Sequence, residues 1–159
     1  MEDRSASFDP ARQPNDEAVD GVVYNYGMAM YLIQVLEHQV VNLIVASKLP
    51  RVAEIPADEL KRIRAATFKK TLGTTLKDLI ASVDVPDELR CRLKQVCDER
   101  NRLAHRFFRE NHDVMQTVGG NGRLVAELAS FQQVVVDVDD ELTELERALW
   151  KANGMSYPF

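Results

Sequence analysis

The chain has 159 residues and is 45% hydrophobic, enough for one compact domain with a real core. With 20 Lys plus Arg against 25 Asp plus Glu it is acidic overall, which excludes a protein that coats a long stretch of nucleic acid. The charge is unevenly spread: residues 48–109 hold 15 cations against 9 acids, and the flanks hold 5 against 16, a pattern suited to a local anionic ligand near the centre.

Cys91 and Cys97 lie six apart in what reads as one helix, about 9 Å apart along the axis and on different faces, so they do not pair. No Cys/His spacing suits a zinc site, no cofactor motif is present, and a reducing cytoplasm is the expectation. The amino terminus lacks the apolar run of a signal peptide. The most apolar segment, 28–46, is interrupted by Gln34, Glu37, His38, Gln39 and Asn42, which is expected to exclude an ordinary membrane span.

Residues 1–15 are polar, with two prolines and no period, and read as a flexible leader; Asn15 or Asp16 would cap the first helix. Val19, Val23, Tyr26, Met30, Ile33, Val40 and Ile44 then recur at steps of three and four, the stripe of a long amphipathic helix. Glu37 falls where that period asks for an apolar residue. It is either a solvated edge position or a buried acid with a dedicated partner.

The helix ends between Lys48 and Pro56, and two further starts share a signature, Pro56 before Asp58-Glu59 and Pro86 before Asp87-Glu88. Proline in the first turn and acids just inside it suit the free amides and the positive end of the dipole. The helix from Pro56 is expected to break around Thr71–Thr75, beside Gly73, and to continue through Leu76, Leu79 and Ile80. Its polar face (Lys61, Arg62, Arg64, Lys69, Lys70) is either simply solvated or anion-binding. A third long helix spans about Pro86 to Arg109, and a glycine-rich loop covers 111–122. In the last helix Leu128, Phe131, Val135, Val138, Leu142, Leu145 and Leu149 form a heptad-like seam opposite a solvated acidic face of Asp137, Asp139, Asp140, Glu141, Glu144 and Glu146. The expected fold is all-α: an up-and-down four-helix bundle over 16–152, with a tail at 153–159.

The chemistry concentrates in residues 99–108, E-R-N-R-L-A-H-R-F-F. On a helix Leu89, Leu93, Val96, Leu103 and Phe107 share the core sector, and Arg100 falls inside it. An arginine there needs a partner, and Glu37 is the one available in an apolar stripe, so the two are expected to pair. Asn101 and His105, at i and i+4, share a different face, about 140° from Arg100. A histidine, whose unperturbed pKa is near neutrality, beside Arg102 and Arg106 offers a proton shuttle with cations for nonbridging phosphate oxygens, so those two arginines are candidate substrate-binding residues.

Arg100-Asn101-Arg102-Leu103-Ala104-His105 resembles the R-x(4-6)-H signature of the HEPN superfamily (higher eukaryotes and prokaryotes nucleotide-binding domains), including the polar residue after the arginine and its place in the third long helix. The resemblance implies a metal-independent endoribonuclease without cofactors, often a toxin of a toxin-antitoxin, abortive-infection or CRISPR system. Arg100 would hold the scissile phosphate, His105 would act as general base or acid, and Asn101 would position one of them. It also implies a site shared across a homodimer and a possible antitoxin or regulator as partner. Many members of the superfamily are noncatalytic binding modules, so a helical regulator or interaction protein is the alternative.

Overall fold

A computed structural model of the chain describes residues 13–48 and 56–154. Every regular element among them is helical: α1 (Gln13–Ala46), α2 (Ala57–Phe68), α3 (Leu72–Ser82), α4 (Asp87–His105), α5 (Phe107–Glu110) and α6 (Val118–Ala152), with one 3-10 turn at Val114–Gln116. Most of the expected leader and tail lie outside the described residues; α1 already begins at Gln13, so residues 13–15 are helical.

Three long helices form the frame. Gly21 approaches Val125, the Gln132 amide donates to the Asn25 carbonyl, and the Gln39 amide donates to Glu146, so α1 and α6 run side by side in the same direction. Tyr26 meets Leu103 and Glu37 meets Arg100, so α4 runs against α1. It also runs against α6, through Arg92 with Glu141 and Arg102 with Glu127. A simple four-helix alternation would set the first and last helices antiparallel.

The difference lies in the break after Phe68, which is a reversal and not a kink. Pairing of Asn42 with Arg64 and of His38 with Phe68 sets α2 antiparallel to α1. Crevices that join Val41 to Leu72 and Ile44 to Ala81 and Ser82 then turn α3 parallel to α1 again. Lys69 closes α2, and Thr71, extended at ψ 153°, accepts a hydrogen bond from the Thr74 amide and so opens α3 one residue before Leu72. Two helices of 12 and 11 residues therefore replace one long return, and the even number of reversals leaves α1 and α6 parallel.

The core runs between the long helices. Val22, Ala29, Ile33, Leu36, Val40 and Leu43 of α1 are fully buried against Leu89, Leu93, Val96 and Leu103 of α4 and Leu128, Val135, Val138 and Leu142 of α6. The α1 stripe is rotated from the expected one: Val22 is buried, and Val23 is exposed. Helices on more than one side of α1 widen its buried arc beyond a single stripe. By length and composition 17–46 also qualifies as a membrane span, with an 18-residue window of mean hydropathy 1.4, so its polar interruptions do not exclude one. In this fold its apolar residues form the centre of the core.

Two further expectations are corrected. The segment 111–122 is not a loop, because a 3-10 turn fills 114–116 and α6 starts at Val118, capped by Thr117, whose side chain accepts from the Gly120 amide. Its three glycines are the first turns of a helix. The third long helix does not continue to Arg109; it breaks at Arg106 (φ −133°, ψ −22°), and α5 follows as a separate turn.

Candidate functional site

α4 carries Arg100, Asn101 and His105 in one unbroken helix, so their mutual geometry follows from helical rise and turn. Arg100 and His105 are about 7.5 Å apart along the axis and about 140° around it. Arg100 is about one third exposed, and its Nε lies 3.7 Å from Glu37 Oε1 on α1. The Arg100 Nη1 also donates to the Asn101 side-chain oxygen at 3.4 Å, which leaves the amide nitrogen of Asn101 facing outward as a donor. The structure thus brings Glu37, Arg100 and Asn101 together as one chain of polar contacts, with the guanidinium held at the helix edge and not sunk in the core.

His105 is the last residue of α4 and is exposed, and its side chain has no hydrogen bond or ion pair among the described residues. The break after it has an identifiable anchor. The last four carbonyls of a helix lack partners within it. One of these, on Leu103, accepts from the Tyr26 hydroxyl at 3.3 Å. The Tyr26 ring in turn stacks on Phe107 and Phe108, at 5.5 and 4.8 Å between centroids, so α1 grips the end of α4 and seats Phe107 in the core. The bend keeps Phe107 buried and leaves Phe108 43% exposed beside the outward face.

Arg102 has a different setting from the one its neighbours in sequence suggest. Its guanidinium contacts Glu99 at 2.6 Å, Glu110 at 3.6 Å and Glu127 of α6, and lies over the Phe107 ring at 5.5 Å. These carboxylates hold its pKa above the ordinary arginine value, led by the hydrogen bond to Glu99. A cation with three carboxylates around it ties α4, α5 and α6 together; it reaches a phosphate only by releasing them. Arg106, on the surface, shares Glu110 at 3.5 Å and is the more available of the two.

Periodicity alone did not reveal these acids as structural. Glu146, counted on the solvated face of α6, is only 6% exposed and accepts from Gln39 at 2.9 Å and from the Trp150 indole at 3.4 Å. Its signal was present as Gln39, an amide in the opposing apolar stripe. Cys97 lies beside the Glu37 and Arg100 pair; burial, followed by the nearby Asp98 charge, pushes its thiol up, and Arg100 acts in the opposite direction. Among the described residues no group of three or more His, Cys, Asp and Glu is placed to hold a metal ion.

Chemically, the arrangement offers a fixed guanidinium, an outward amide and an unengaged imidazole along one two-turn stretch. Compared with protein-family models, curated proteins and solved structures, the chain matches none of them.

Proposed function

We propose that the chain is a HEPN-like, metal-independent endoribonuclease of the cytoplasm, a toxin or defence component, with its site completed across a homodimer. The observation that carries this reading is the state of the motif on α4: His105 exposed and unengaged, with Arg100 oriented by Glu37 and linked to Asn101. In the reaction, His105 takes the proton of a ribose 2′-hydroxyl as that oxygen attacks the adjacent phosphorus. The 5′-oxygen leaves with a proton taken from solvent, and a 2′,3′-cyclic phosphate forms. Arg100 neutralises a nonbridging oxygen as charge develops there, and the Asn101 amide hydrogen-bonds a second. Because Arg100 and His105 point about 140° apart, one subunit supplies the base and the other the clamp. Arg106 adds a cation at the rim, and Arg102 stays with its carboxylates.

The test is cleavage of single-stranded RNA in excess EDTA. The parent is expected to generate cyclic-phosphate ends, and His105→Ala to lose them. A His105→Ala protein that cleaves as well as the parent removes the proposal.

A noncatalytic helical regulator is the second reading, favoured by one observation. α1 presents Tyr24, Tyr31 and Val35 on its outer face at 67, 58 and 39% exposure, a surface fit for protein contact. An inert parent that forms a stable complex with a neighbouring gene product would select this reading.

A further inference from the structure

α3 and α4 lie antiparallel, with Gly73 opposite Cys97, and leave a groove of about 460 Å³ between them. That volume falls within the range of small-molecule sites. On α3 its wall is the i, i+3, i+4, i+7 face Gly73, Leu76, Lys77 and Ile80, about 10 Å long. Leu93 and Cys97 of α4 form the floor, and Leu76 and Leu93 are both buried. Gly73 keeps the inner end open, since any longer side chain there grows toward the Cys97 sulfur, which an added Cβ would already meet at 3.6 Å.

The rim is charged in one sense. Lys77, Arg90 and Lys94 border the groove against Asp98 alone. Lys94 is paired with Asp98 at 2.6 Å, and Arg90 donates to the Val85 carbonyl at 3.0 Å and faces Asp87. Lys77, on the α3 wall of the groove, has no ion pair among the described residues. A carbon-lined slot with surplus positive charge at its lip selects a ligand that is apolar along most of its length and anionic at one end.

We propose that this groove binds a small amphiphilic carboxylate, with its hydrocarbon chain lying along Leu76, Ile80 and Leu93 toward Gly73 and its head between Lys77 and Arg90. The ligand is a short acyl or aryl acid and not a partner helix, because the cavity is only about two helical turns long. The groove ends at Cys97, next to the Arg100 pair, but Arg100, Asn101 and His105 are not in its lining, and binding there does not depend on that motif's activity.

Both cysteines of the chain line the groove, so they report on its occupancy. Alkylation of Cys91 and Cys97 by iodoacetamide, read residue by residue by mass spectrometry, is followed with increasing decanoate, kept below its micellar range, and with 1-decanol. Saturable protection of both thiols is expected with decanoate, and at least tenfold weaker protection with decanol. Lys77→Glu, an exposed change that leaves the fold intact, is expected to raise the decanoate midpoint about tenfold. Gly73→Leu, verified as folded by circular dichroism, is expected to abolish protection. Absence of protection, equal protection by decanol, or unchanged decanoate affinity in folded Gly73→Leu would each overturn the proposal. So would protection that rises with protein concentration without decanoate, which would assign the groove to a second copy of the chain.

Discussion

Gly120→Ala isolates the contact that turns the glycine-rich run into the start of α6. A Cβ on Gly120 would sit 2.1 Å from the Val114 carbonyl oxygen and 2.6 Å from Thr117 Oγ1, the atom that caps the helix through the Gly120 amide. Relief to an ordinary contact needs a shift of about 1.3 Å in backbone that the 3-10 turn holds. Such a shift removes a cap worth about 1 kcal/mol. It also adds overpacking strain of about 1–3 kcal/mol. The better helix propensity of alanine returns less than about 1 kcal/mol. The net expectation is about 2 kcal/mol of lost stability, or a Tm lower by about 4–8 °C for a chain of this size. Gly119 and Gly122 are the internal controls: both face open space, so alanine there is expected to hold or raise Tm. Thermal melts followed at 222 nm compare the three variants. If Gly120→Ala melts with Gly122→Ala, the glycines are interchangeable and the packing argument for the α6 start fails.

Two further outcomes test the polar contacts. A double-mutant cycle of Glu37→Gln and Arg100→Gln in urea denaturation is expected to give a coupling of about 0.5–1 kcal/mol, as for other partly exposed pairs, falling toward zero in 1 M salt; zero coupling at low salt would show that Glu37 does not orient Arg100. Asp139 on α6 is half-buried, with Oδ1 unpartnered among the described residues, and burial followed by the Asp140 charge pushes its carboxyl up. The native state therefore binds this proton more tightly than the unfolded chain, and the group costs stability as pH rises through its native pKa. Asp139→Asn is expected to melt higher than the parent at pH 7, with the gap closing below about pH 4. A gap that is constant across that range would assign the effect to packing instead of titration.

Much of the molecule could be read from residue order. Local features depend on local physics: proline with two acids places the starts of α2 and α4 within a residue. The spacing of Leu89, Leu93, Val96 and Leu103 names the buried face of α4. A lone charge in each of two apolar stripes brought Glu37 and Arg100 to notice as partners, because an unpaired charge in a core sector is costly wherever the helices go. The residues of the motif and their angular separation likewise follow from helical geometry alone.

Direction and environment required the assembled fold. Whether the chain reverses or merely kinks after Phe68 depends on how α2 and α3 pack on α1, and that choice sets α6 parallel to α1. α4 stops at His105 where Tyr26, 77 residues from Leu103 in sequence, takes up the Leu103 carbonyl. Arg102 and Glu146 looked like surface charges because helical period reports which face a residue occupies, not what stands opposite it. Only the placement of Glu110, Glu127 and Gln39 from other elements made one a latch and the other a buried acceptor. The sequence by itself determined the starts of α2 and α4, the apolar face of α4 and the chemistry available on it; tertiary structure decided which charges remain free to use it, because desolvation and pairing depend on neighbours that are distant along the chain.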